Sequence, residues 1–201
     1  MNYNDIIEKS IRDIENIEFN DMPSLDLYMD QVTTYLNEKF EITKRYDDDK
    51  LLTKTMINNY AKSHLLPPPE KKKYNNEHII TLSLIYFFKN VLSISDVSTL
   101  LKPLTDNHFK DDDVSMKDIS HLLLDHTHNT ENTNSILNEV KNELEYYDNL
   151  YDDNDYLKLF GIIFSLNYDV FIKKTIMEKL IDVIKQKNEE VDGKKKSDKK
   201  K

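Results

Sequence analysis

Across 201 residues the chain places glycine at only two positions, Gly161 and Gly193. Glycine takes positive φ without a steric penalty, so a chain almost without it is poor in tight hairpins and cannot build a glycine-rich phosphate loop. The expected fold class is all-α. Cysteine is absent, which removes disulfides, thiolate metal sites and a cysteine nucleophile. The length suits one or two domains, at roughly 100–200 residues each, with a real core. The opening MNYNDIIEKSIRDIEN has neither a basic start nor a continuous apolar run. No uncharged apolar stretch reaches the ~18 residues that span a bilayer. A soluble, cytoplasmic protein without a membrane segment is expected.

Formal net charge is −9, and an acidic surface repels phosphates. The distribution is uneven. Residues 50–74 hold six lysines and one glutamate, whereas residues 103–156 hold fourteen Asp and Glu against three lysines. A basic region and an acidic region share one chain.

Apolar residues recur at helical spacing along most of its length. Ile6, Ile7, Ile11, Ile14 and Ile17 mark an amphipathic helix in 1–21. After Pro23, Tyr28, Val32, Tyr35, Leu36 and Phe40 mark a second, with Ser24 or Asp26 as its cap. Thr53 caps a third running to His64, with Met56, Ile57, Tyr60 and Ala61 inward. Its other face carries Thr55, Asn58, Asn59 and Lys62, spaced i, i+3, i+4 and i+7. Pro67, Pro68 and Pro69 then force an extended segment leading to Lys71, Lys72 and Lys73. Asn75 or Asn76 starts a helix whose residues Ile79 to Leu92, Val91 among them, leave almost no polar face, so it is expected to be central. SISDVSTLLKPL predicts a capped short helix stopping before Pro103.

In the acidic region, Ser115 and Asp118 have capping-box spacing ahead of Ile119, Leu122 and Leu123. Leu137, Val140, Leu144, Tyr147 and Tyr151 form a short heptad-like seam, and apolar helical segments follow near 155–167 and 170–186. The lysine-rich end, 191–201, predicts a disordered tail. The organisation expected is an N-terminal helix (1–21), a first domain (22–104), a helical region (105–190) and the tail. HLLLDHTH sets His121 and Asp125 on one helix face beside His126 and His128, but HExxH spacing is missing and no metal site is expected. Nucleophile-elbow, Walker and Rossmann patterns are also missing, so neither enzyme activity nor a cofactor is expected.

The segments LDLYMDQVTTYL, LLTKTMINNYAKSHLLPPPEKKKY and FFKNVLSISDVSTLL resemble the bacterial domain-of-unknown-function family numbered 1836 over about residues 22–104. The same region is similar, more distantly, to the DNA-binding domain of MerR-type regulators. Ile57, Tyr60, Leu65, Leu66, Pro67 and Pro68 match its helix and proline step. Lys72 stands where a wing arginine is usual, and Tyr74 matches the wing tyrosine. Asn58 and Asn59 replace an arginine and a tyrosine, His64 replaces a glycine, and the wing is shorter, a stub at most.

The resemblance implies a MerR-like helix-turn-helix with at most a reduced wing, followed by an acidic helical region. It implies a bacterial transcriptional regulator that occupies operator DNA. In that reading the helix from Thr53 enters the major groove, where Asn58 and Asn59 suit adenine edges. Thr55 and Tyr74 lie on the same DNA-binding surface, and Lys54, Lys62, Lys71, Lys72 and Lys73 hold phosphates of double-stranded DNA. The alternative is a helical protein–protein interaction module that has lost DNA binding. A homodimer is also an expected partner, with the Leu137–Tyr151 seam read either as core or as its interface. The sequence identifies no effector.

Overall fold

In the computed structural model, residues 3–15, 17, 22–108, 118, 130–151 and 154–198 are described. Their elements are α1 (Tyr3–Glu15), β1 (Leu27–Tyr28), α2 (Met29–Lys39), a 3-10 turn at Glu41–Thr43, α3 (Lys54–Lys62), β2 (Lys73–Tyr74), α4 (Asn76–Lys89), α5 (Ile94–His108), α6 (Thr130–Leu150) and α7 (Asp155–Asp198). The fold is all-α with one small antiparallel ladder, Leu27 opposite Tyr74 and Tyr28 opposite Lys73.

The core is built around α4. Asn75 caps it: its side chain accepts from the His78 N–H at 3.2 Å, and His78 Nδ1 accepts from the Asn75 N–H at 3.2 Å. Behind this cap, Ile79, Ile80, Leu82 and Ile85 are completely buried, and so are Thr81 and Ser83. A buried hydroxyl is costly unless bonded. Thr81 therefore donates to the Glu77 carbonyl at 2.8 Å and Ser83 to the Ile79 carbonyl at 2.9 Å. Val32, Leu36 and Phe40 from the α2 segment, Ile57 and Tyr60 from α3, and Val97 and Leu101 from α5 close over it. Phe40 stacks on Tyr86 with ring centroids 4.3 Å apart, and Tyr86 shares a hydrogen bond with Thr43.

Several expectations shift in detail. The chain from Leu27 to Tyr28 is strand, so α2 starts at Met29 and Ser24 and Asp26 lie too early to cap it. Gln31 instead reaches back to accept from the Tyr28 N–H at 2.9 Å. Tyr28, expected inside, is exposed for the same reason. Val91 lies beyond the end of α4 and is also exposed. Helix α5 begins at a Ser93 cap, which accepts from the Asp96 N–H at 3.2 Å, and continues through Pro103 to His108. Proline inside a helix removes one hydrogen bond. Here Val97, Leu101, Leu104 and Thr105 pack along one face on both sides of it, and that burial holds the turn together. The boundary placed at 104/105 thus falls within a helix.

The two C-terminal segments form one helix, α7, since neither proline nor glycine stands between residues 162 and 192. Its bounds run to Asp198 and so take in most of the lysine-rich end, where a disordered tail is the expectation. Ile181 of α7 joins the α4 core, and Lys185 meets Asp96 of α5 at 3.0 Å. Ile17 enters the same core, whereas Ile6 and Ile14 of the predicted α1 stripe are exposed. Ser115, Ile119, Leu122, Leu123 and the group at His121, Asp125, His126 and His128 lie outside the described residues.

The Leu137–Tyr151 seam faces α7 within the chain. Val140 is buried, the Tyr147 hydroxyl meets Ser165 at 3.1 Å, and Tyr147 lies parallel to Tyr151 at 6.3 Å. Gly161 is required there because a β-carbon would collide with the Tyr147 ring. Alanine usually stabilises a helix by about 1 kcal/mol over glycine. Gly161→Ala is expected to do the opposite, lowering the thermal unfolding midpoint, and a raised midpoint would show that the α6–α7 contact is loose.

Candidate nucleic-acid interface

Thr53 begins α3 as the sequence suggests, accepting from the Met56 N–H at 3.2 Å. One face buries Ile57 and Tyr60; the opposite face leaves Thr55, Asn58, Asn59 and Lys62 exposed. The helix ends at Lys62, and His64 follows with φ 57°. This left-handed residue reverses the chain, so that the N–H groups of Leu65 and Leu66 both reach the Tyr60 carbonyl, at 2.9 and 3.1 Å. Leu65 and Leu66 are thereby driven into the core. The geometry is one that glycine usually occupies.

The prolines lead into a four-residue turn. Lys73 N–H donates to the Glu70 carbonyl at 2.9 Å, while Lys71 and Lys72 have φ 49° and 65°. Positive φ at both central residues defines a type I′ turn, the form whose twist suits a hairpin and which normally carries Asn-Gly. Two lysines therefore sit in a conformation that costs roughly 1–2 kcal/mol for each residue with a β-carbon. The glycine-poor sequence does contain left-handed positions; it fills them with His64, Lys71 and Lys72.

Two contacts bring the basic groups together. Lys73 lies over the exposed Tyr28 ring, 5.4 Å from its centroid, and Lys54 pairs with Asp30 at 2.6 Å. The start of α3 and the hairpin strand thus meet at the N-terminal end of α2, where backbone N–H groups add partial positive charge. Lys71 and Lys72 stand exposed at the turn itself. Tyr74 does not belong to this surface. It is 3% exposed, packs edge-on against His78 at 5.3 Å, and burial pushes its hydroxyl pKa up. Its pairing in the β ladder turns the ring inward.

Sequence reasoning missed Tyr28 and Asp30, because only the fold sets them beside lysines 45 and 24 residues away. KRYDDDK, between α2 and α3, is expected from its charges to be a solvated connector, and Tyr46, Asp47 and Asp48 are exposed. Residues 40–53 form a structured connection in which the Asp49 carboxylate accepts from the N–H groups of Arg45 and Tyr46 at 3.0 and 3.1 Å. Asn37 ties that connection to α2, accepting from the Leu52 N–H at 3.1 Å and donating to the Leu52 carbonyl at 2.7 Å. Among the described residues, no cluster of three or more His, Asp and Glu is arranged to hold a metal ion. No helix among them is long and apolar enough to cross a membrane.

Fold and surface together define a small helical domain that presents one exposed polar helix beside a lysine-bearing turn. The chain belongs to the family described as a domain of unknown function (DUF1836), whose model matches residues 17–123. No curated protein and no solved structure matches it.

His78 supports the proline step, its Nε2 lying 3.4 Å from the Pro68 carbonyl oxygen. Burial lowers its pKa, outweighing the opposing effects of Pro68, Asp26 and Glu70. Its neutral form stabilises the fold in full above the ordinary value of 6.5, and that contribution declines as pH falls below it. Wild type is expected to lose stability in urea titrations as pH drops below that value, by more than His78→Gln does. Equal losses would show that other groups set the acid sensitivity. At the turn, Lys71→Asn with Lys72→Gly is expected to stabilise the fold by ~1 kcal/mol, through relief of positive-φ strain. A lower urea midpoint would mean the lysines make stabilising contacts.

Proposed function

We propose that the protein is a bacterial transcriptional regulator that binds double-stranded DNA through a MerR-like helix-turn-helix with a reduced wing. The observation that carries this reading is the type I′ turn built from two lysines next to an exposed polar helix face. Strain kept at a surface turn, where Asn-Gly would fold more easily, points to a use for the two charges. Lys71 and Lys72 would grip phosphates, with Lys54, Lys62 and Lys73 assisting, and α3 would offer Asn58 and Asn59 to base edges. Thr55 lies on the same stripe. The mechanism is occupancy of an operator, without chemistry.

A second reading, a helical protein-interaction module, is favoured by the connection at 40–53, which separates α2 and α3 by more than the 3–4-residue turn of a standard helix-turn-helix. The net charge of −9 favours it as well. Fluorescence anisotropy on a duplex from the protein's own promoter separates the two. Five phosphate-bound lysines give a slope of log affinity against log salt of about −4.5, a loss on the order of 10²–10³-fold between about 50 and 200 mM. The double variant Lys71→Asn, Lys72→Gly should flatten that slope by about 2 while the fold persists. Asn58→Ala should reduce discrimination between duplexes by about 1–3 kcal/mol and leave the slope unchanged. Folded wild type that ignores the duplex at low salt would sink the DNA reading and leave the interaction module.

A further inference from the structure

We infer that the N-terminal half of α7 is the interface of an antiparallel homodimer, independently of whether the protein binds DNA. In this half Tyr156, Phe160, Ile163, Phe164, Val170 and Phe171 are 73, 55, 63, 58, 52 and 62% exposed. At 3.6 residues per turn they fall within about 120° of arc, a continuous stripe. The side of α7 opposite to it is the one that lies against α6, where Ile162 is buried and Ser165 meets Tyr147.

The stripe continues towards the C-terminal end as Met177 and Ile181, and there the chain's own core covers it. One helical side is thus core over half its length and open over the other half. Taking an aromatic side chain as about 150–250 Å², the four aromatic residues alone leave on the order of 500 Å² open. With Ile163 and Val170 the stripe approaches the ~800 Å² that each partner buries in a standard interface, and exceeds the largest apolar patch of most monomers.

The covered end of the stripe selects the direction of the occupant. A second copy laid parallel would run on past Phe171 into the core that already covers Met177 and Ile181. Laid antiparallel, with Ile163 opposite its own counterpart, it brings Tyr156 to Val170 and Phe160 to Leu166. This arrangement is self-complementary about a two-fold axis, as a closed dimer requires. The Leu137–Tyr151 seam, by contrast, is already occupied within the chain.

The full chain should sediment at twice its mass of 23.9 kDa across the micromolar range. Ile163→Glu, at an exposed position, should sediment as a monomer with unchanged helical circular dichroism. Because the protein has no cysteine, Ile163→Cys should give a covalent dimer on oxidation. Tyr156→Cys should not, since the two thiols would stand about 21 Å apart in the antiparallel register. A monomeric wild type, a dimer that survives Ile163→Glu, or equal cross-linking of both cysteine variants would each overturn the proposal. So would a monomer that co-sediments through this stripe with phosphatidylcholine–phosphatidylglycerol vesicles, which would assign the face to a lipid surface.

Discussion

The burial of α4 on nearly all its faces is the constraint on which the first half of the structure depends. A helix with no solvent side must find apolar partners all round, and α2, α3, α5 and the C-terminal half of α7 supply them. It must also satisfy its polar groups internally, which Thr81 and Ser83 do through the preceding turn. The consequence reaches the surface. Because Tyr60, Leu65, Leu66 and Tyr74 are fixed against this core, the segment between them has little freedom. The reversal at His64 and the lysine turn follow from where the core residues have to go.

Much of this was legible in the sequence, for a physical reason. Helical stripes, the Thr53 and Asn75 caps and the apolar residues that dominate the run from Ile79 are local signals, and local signals survive into the fold when burial agrees with them. The exposed stripe Thr55, Asn58, Asn59 and Lys62 came from the same periodicity. What could not be read was set by tertiary contact. Pro103 looked like a helix stop until the packing of Leu101 and Leu104 around it was visible. Tyr74 looked like a wing residue, but its direction depends on pairing with Leu27, a residue 47 positions earlier. Scarcity of glycine argued against tight turns, yet the chain takes left-handed conformations with histidine and lysine.

Electrostatics divides the molecule in a way that packing does not. Lys54 and Lys73 meet the start of α2, while α6 is acidic on its exposed faces. Among the described residues, ion pairs join the halves from Glu8 to Lys141 at 2.8 Å and from Asp96 to Lys185 at 3.0 Å. Each carboxyl is held below its usual pKa, Glu8 by the Lys141 hydrogen bond and Asp96 by the Ser93 hydroxyl first and Lys185 second. Such exposed pairs add little stability. The apolar link through Ile181 is what keeps α7 on the core.

Helix α7 has 44 residues, which at 1.5 Å per residue makes a rod about 66 Å long, well beyond the diameter of the core it touches. No proline interrupts it. Tyr147 grips this rod near its start, and Ile181 and Lys185 hold it beyond its middle. Some two dozen residues of continuous helix separate the contact with α6 from the contact with α5, and that length sets the spacing between the two.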